Sequence, residues 1–244
     1  MKITKILLSL AACGLAFSGL AVAQDDDSHG LITVRTTTVK VGMGQEYQEL
    51  QVQLAAARKA AGHSGVTAYQ VVRGPASTFY TVTAADNHAD LAGPFDSGMS
   101  DGDWARWIGR ITDVIDHTTV TTLRTHGELT IASEDGSAPN MAILRFSALK
   151  TGSGGDHHEW LQETLRPNMM EGNTTGWTVS NVTLGDDANT WISSTRLDSW
   201  EQLDGPGPFS HMSERARNNM FDDFFERVES VRTEVIRFLP DLSY

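Results

Sequence analysis

The chain has 244 residues, 40% of them hydrophobic, and a formal net charge of −12. That length can build one sizeable core or two small ones, and the acidity argues against nucleic acid and against an anionic membrane surface. Cys13 is the only cysteine, so no internal disulfide, thiol nucleophile pair or cysteine-rich zinc site is available.

Residues 1–23 read as a secretory signal peptide. Lys2 and Lys5 form a basic start, Ile6–Leu20 is apolar, and Ala21-Val22-Ala23 before Gln24 is a small-x-small cleavage site. Leu10-Ala11-Ala12-Cys13 also resembles a lipobox, which would anchor the chain through a lipidated Cys13, but the apolar run before that cysteine is short. The segment is too short and poorly flanked for a membrane span. Export is expected, with the periplasm as the compartment. Loss of Lys2 and Lys5 takes the charge to −14. Residues 24–30, with Asp25-Asp26-Asp27, read as a solvated acidic tail.

The rest says nearly the same thing twice. Residues 31–129 can be laid over residues 141–244, with 130–140 as a linker rich in turn formers. Val39-Lys40-x-Gly42 answers Leu149-Lys150-x-Gly152. Arg35 answers Arg145, and Arg124 answers Arg237. Leu91–Gly93 with Pro94–Phe95 answers Leu203–Gly205 with Pro208–Phe209. A repeat of about a hundred residues is the size of a small domain.

In the first repeat Leu31–Val39, rich in β-branched residues, predicts a strand. Gly42–Ala61 predicts a helix with Tyr47, Leu50, Leu54 and Ala57 on one face. Val66–Arg73 and Thr78–Ala84 predict strands around the Gly74-Pro75 turn. Asp86–Leu91 predicts a short helical turn, Asp101–Asp116 a helix and Thr118–Thr125 a strand. The second repeat follows suit. Ala142–Leu149 is a strand, and Asp156–Met170 a helix turning His158, Leu161, Leu165 and Met169 inward. Trp177–Leu184 and Thr190–Arg196 are strands, and Leu197–Leu203 is a helical turn. Ser213–Val231 is a helix and Thr233–Leu239 the last strand.

Strand–helix–strand–strand–helix–strand is the ferredoxin-like unit, α+β in class. Apolar residues alternate onto both faces of its strands: Ile143 and Leu149 on one, Leu144 and Phe146 on the other. A sheet with helices on one side only must cover its second face, and packing the two repeats together does so. With the Val-Lys-x-Gly motif before an amphipathic helix in Val34–Leu50, the chain resembles the dimeric α+β barrel superfamily in a fused, two-repeat form. That opening is similar to NIPSNAP-like and antibiotic-biosynthesis-monooxygenase-like domains. The resemblance implies two ferredoxin-like repeats packed as an intramolecular barrel. It leaves activity open, because the superfamily includes cofactor-free oxygenases, haem enzymes, isomerases and domains of no known activity.

The motifs of several large enzyme classes are absent: no G-x-S-x-G, P-loop, H-E-x-x-H or strand-anchored G-x-G-x-x-G. His157-His158 is the densest titratable cluster. His158 is a candidate general base, although an inward histidine on an apolar face is more often a hydrogen-bonded core residue. Adjacent helical residues point about 100° apart, so the two cannot easily share a metal, and no metal site is expected. His63, His88, His117, His126 and His211 are scattered. Arg35, Arg124, Arg145 and Arg237 would sit on neighbouring first and last strands and could bind an anionic group, or each could pair with a carboxylate. Tyr47, Trp177, Asn181 and Trp191 complete the candidate ligand site; cofactor-free oxygenases of the superfamily use aromatic, Asn and His side chains. The expected function is an exported small-molecule-binding protein, with an apolar pocket between each sheet and its helices. A cofactor-independent monooxygenase or isomerase acting on an aromatic or polyketide-like compound is the second reading, and haem binding the third. No resident cofactor is called for, haem lacking a motif here. The expected partner is a small-molecule ligand, with a homo-oligomer left open.

Overall fold

The computed structural model describes residues 30–92, 95–133, 139–172, 174, 176–185 and 187–244. The signal segment with Cys13, the Asp25–Asp27 tail, Gly93-Pro94 and the middle of the 130–140 segment lie outside the described residues.

Eight strands form one closed, wholly antiparallel barrel. In chain order they are β1 (Leu31–Val39), β2 (Val66–Arg73), β3 (Thr78–Ala85), β4 (Ile115–Thr125), β5 (Met141–Leu149), β6 (Trp177–Leu184), β7 (Thr190–Leu197) and β8 (Val228–Phe238). Around the barrel the order is β1-β3-β2-β8-β5-β7-β6-β4. The four strands of each half are contiguous, and the halves meet through β2–β8 and β4–β6. The inside of the barrel is lined by strands from both halves. Closure leaves no unpaired edge among the described strands, which is why a chain with so many β-branched strands need not aggregate through them.

The helices lie outside. α1 (Gly44–Ala60) and α2 (Asp101–Val114) cover the first half. Leu50, Trp107, Ile111 and Val114 pack there with Tyr47 and Phe79. α3 (Gly154–Trp160), a π-helical turn (Leu161–Leu165), α4 (Arg166–Glu171) and α5 (Glu214–Arg227) cover the second. No helix among the described residues is long and apolar enough to cross a membrane.

The repeated Val/Leu-Lys-x-Gly motif has a physical explanation. Lys40 Nζ donates to the carbonyl of Asp113 at 2.7 Å, and the Lys40 backbone N–H to that of Val114. Lys150 does the same to Phe225, Glu226 and Arg227. Each lysine therefore satisfies the orphan carbonyls at the end of its half's last helix and places positive charge at the negative end of the helix dipole. Gly42 and Gly152 both turn the chain at φ 85°, in the left-handed region. The second helix of each half starts on a serine cap: Ser100 Oγ accepts from Asp103 N–H, and Ser213 Oγ from Ala216 N–H.

Several predicted boundaries shift by a few residues, most at the two helix-to-strand junctions and at the short helical turns, now Asp90–Ala92 and Trp200–Leu203. The last helix ends at Arg227, not Val231, and the final strand starts at Val228 rather than Thr233, because Lys150 seizes the carbonyls of Phe225–Arg227. Likewise α2 yields to β4 at Ile115.

Candidate functional site

Alternation sets the inside of the barrel. Val34, Thr36 and Thr38 of β1, Leu123 of β4, Leu144 and Phe146 of β5, and Ile236 of β8 all face a lumen cavity of about 470 Å³. One end is plugged by a packed cluster that includes Ile32, Tyr69, Val71, Ala142 and Ile236. The other end is a mouth. Thr38 pairs with His117 and Thr78, and Ala148 with Thr190 and Ser230, so these six form its ring. The His117 side chain there is 60% exposed, whereas Leu123 on the same strand is 1% exposed at depth. Threonines from β1, β3, β4 and β7 line the wall, offering hydroxyls and methyls together.

A charged group sits in this wall. Glu234 is 1% exposed, forms an ion pair with Arg232 and accepts a 2.6 Å hydrogen bond from the Tyr80 hydroxyl. The Arg232 guanidinium lies 3.9 Å over the ring of Phe146, its cross-strand partner. A buried carboxylate is tolerated only with such partners. Burial raises the Tyr80 phenol above its usual range, with Arg232 pulling the other way. No sequence signal marks this group, because each of its members looks like an ordinary strand residue.

The arginine candidates do not form a cluster. Arg35 registers with Val120, and Arg124 with Leu31; Arg145 registers with Thr233, and Arg237 with Met141. The paired positions are four residues out of step, about 13 Å along a strand. Their strand neighbours face the lumen, so all four arginines point outward, and all are exposed. Arg237 donates to Gln70 at 3.0 Å.

Between the second sheet and its helices the expected pocket is filled. Trp177 is 1% exposed in a cluster with Trp160, Leu161, Leu165, Met169 and Trp191. Tyr47 occupies the matching layer of the first half, its ring 4.5 Å from Phe79, and burial raises its phenol while Thr37 and Arg35 oppose this.

The inward histidine is His157 rather than His158. His157 is 2% exposed and lies among Trp160, Trp191 and Phe224. Burial, then the charges of Arg227 and His158, push its imidazole down to about 4. The π-helical turn explains the error: one extra residue per turn breaks the spacing that put His158 in line with Leu161, Leu165 and Met169. α1, the counterpart in the first half, is regular throughout.

His158 instead turns to Glu128, its Nε2 2.8 Å from Oε1. His126 Nδ1 reaches the same oxygen at 3.0 Å, and its Nε2 lies 2.9 Å from Asn181 Oδ1. Trp191, directly opposite Asn181 in the β6–β7 ladder, stacks on the His126 ring at 4.8 Å. Three candidates, His158, Asn181 and Trp191, therefore meet around two residues the sequence had not linked to them. Burial holds the His126 imidazole below its usual range, against bonds from Asn181 and Glu128. Burial opposes ionisation of Glu128, but hydrogen bonds from His158 and His126 hold its carboxyl below the ordinary value. For a haem, the iron-binding histidine would need open space. His157 faces three aromatic rings and His158 faces Glu128, so neither residue fits that group.

A single closed eight-stranded antiparallel barrel with the described helices packed outside it defines the fold, a dimeric α+β barrel fold that the chain shares with several solved structures. The chain is similar in structure to a protein from Fusobacterium nucleatum provisionally assigned as a monooxygenase, with TM-score 0.55, 12% identity, and coverage of 87% of this chain and 94% of that one. It is similar to an anthrone oxidase-like protein, with TM-score 0.55, 12% identity, and coverage of 88% and 92%. It is also similar to a chlorite dismutase variant from Candidatus Nitrospira defluvii, with TM-score 0.52, 12% identity, and coverage of 87% and 92%. The sequence matches no protein-family model and no curated protein.

Proposed function

We propose that the protein is an exported small-molecule-binding member of this superfamily, built from two ferredoxin-like repeats, and that its ligand sits in the barrel lumen. The observation that carries this is the cavity itself: about 470 Å³, apolar at depth and threonine-lined towards one accessible mouth. Such a volume is in the range of small-molecule sites, and an eight-stranded barrel is wide enough for one small ligand. Arg232 and Glu234 cancel in charge, so the ligand is an uncharged amphipathic molecule, its apolar body against Leu144 and Ile236 and its polar end among the threonines. The signal segment supports export, and the periplasm is the compartment proposed.

The test is a titration with N-phenyl-1-naphthylamine, an uncharged apolar dye. One saturable site is expected, lost in Ala148→Trp, which fills the mouth, and kept in Arg145→Ala on the outer face. Binding that survives Ala148→Trp would overturn the lumen assignment. The second reading, an oxygenase or isomerase, is favoured by one observation, the contact of Asn181, Trp191 and two histidines, and is tested by turnover of an electron-rich aromatic substrate.

A further inference from the structure

The geometry points to a divalent transition-metal site formed by His126, Glu128 and His158, on the outer face of the second half and independent of the lumen. Their ligand atoms lie within 4.8 Å of one another. Both imidazoles converge on a single carboxylate oxygen at 2.8 and 3.0 Å. Ligands about 2.1 Å from a shared ion stand roughly 3.0–3.4 Å apart, so a small rotation of the carboxylate makes room for the ion.

The hydrogen bonds orient the His126 ring towards the shared carboxylate. Asn181 gives its amide N–H to the Val182 carbonyl at 3.2 Å, which leaves Oδ1 to accept from His126 Nε2. That fixes the ring proton on Nε2. Nδ1 is then the ring atom turned to the Glu128 carboxylate at 3.0 Å, in line with the His158 nitrogen on the same oxygen. A metal ion seated among them would exchange these hydrogen bonds for coordination by both rings and the carboxylate. Asn181 becomes the outer partner that orients a metal-binding imidazole, and Trp191 holds the ring flat. Two imidazoles and a carboxylate suit zinc or ferrous iron, with positions left for water or a substrate oxygen. The sequence offers no metal motif, since His157 and His158 point about 100° apart and the partners of His158 arrive from the turn after β4.

The duplication supplies a control. Counting from the starts of matching elements, His126, Glu128, His158 and Asn181 correspond to Leu239, Asp241, Gln48 and Gln70. Gln48, Leu239 and Asp241 border a groove there, with no imidazole among the four residues. Among the described residues the π-helical turn occurs only in the half that supplies His158, and such turns are frequent at functional sites.

The experiment is titration of the chelator-stripped protein with Co²⁺, followed by its visible d–d spectrum, then displacement by Zn²⁺. One Co²⁺ per chain is expected, with a spectrum showing nitrogen and oxygen ligands. Glu128→Gln and His158→Ala should each abolish it with the circular dichroism melt retained. Asn181→Ala should weaken it by about ten- to a hundredfold, and Asp241→Asn should leave it unchanged. His158 is on the partly exposed side of its helix, so its variant tests binding without emptying the core. No uptake of Co²⁺ would overturn the site and leave a plain imidazolium–carboxylate cluster. Uptake that persists in both Glu128→Gln and His158→Ala would also overturn it, placing the ion elsewhere. Dye binding in the lumen is unaffected by either result.

Discussion

Tyr80, from the first half of the chain, donates its hydroxyl hydrogen to Glu234, from the second, at 2.6 Å. The bond joins the halves inside the lumen, and Arg232 holds the other oxygen of the same carboxylate. Glu234 is therefore a buried charge with two partners from opposite sides. Tyr80→Phe removes one and should destabilise the protein by about 1–3 kcal/mol, the cost of an unmade bond to a buried charged group. Arg232→Ala leaves the carboxylate without its counter-ion and should cost more, about 3–5 kcal/mol. Urea unfolding midpoints of the two variants give the order directly.

The phenols of Tyr80 and Tyr47 titrate above their usual range because burial disfavours the phenolate. A group whose folded pKa is raised contributes stability that is present in full below its unfolded value, near 10, and is lost as pH rises through the folded value. Stability should thus fall on the alkaline side only once pH passes about 10. Absorbance at the phenolate band should show these tyrosines ionising late, together with loss of the near-ultraviolet dichroism. Their ionisation at the ordinary value, with the fold intact, would contradict the burial.

Gly42 and Gly152 isolate the cost of left-handed backbone. Both have φ 85°, and an added Cβ meets nothing within 4 Å at either. Alanine at each should cost about 1–2 kcal/mol from conformation alone. The two sites lie in different halves, and the double variant should show the sum. Thermal melts of the three proteins check this.

Much of the strand pattern was legible. Val66–Arg73 and Trp177–Leu184 match their strands at both ends, because alternation is a local property bounded here by turn residues. The end of the last helix was not. Phe221, Phe224, Phe225 and Val228 keep helical spacing through the true boundary, and what stops the helix is Lys150, more than 70 residues away in sequence. His158 was assigned inward because a π-helical turn cannot be read from a 3.6-residue period. The lumen stayed hidden for a different reason. The threonines of β4 read as an exposed strand face, and only barrel closure turns Thr119 and Thr121 inward together. Glu128 lies in a short turn at the end of the first half, and its partner His158 belongs to the second. No local pattern links them.

The ligand's position is the central claim, and nuclear Overhauser contacts between bound N-phenyl-1-naphthylamine and assigned methyl groups test it most directly. The predicted contacts are to Leu144, Val182 and Ile236, which line the lumen. Contacts to Leu161, Leu165 and Met169, in the layer beneath the helices, with none to the lumen methyls, would contradict it.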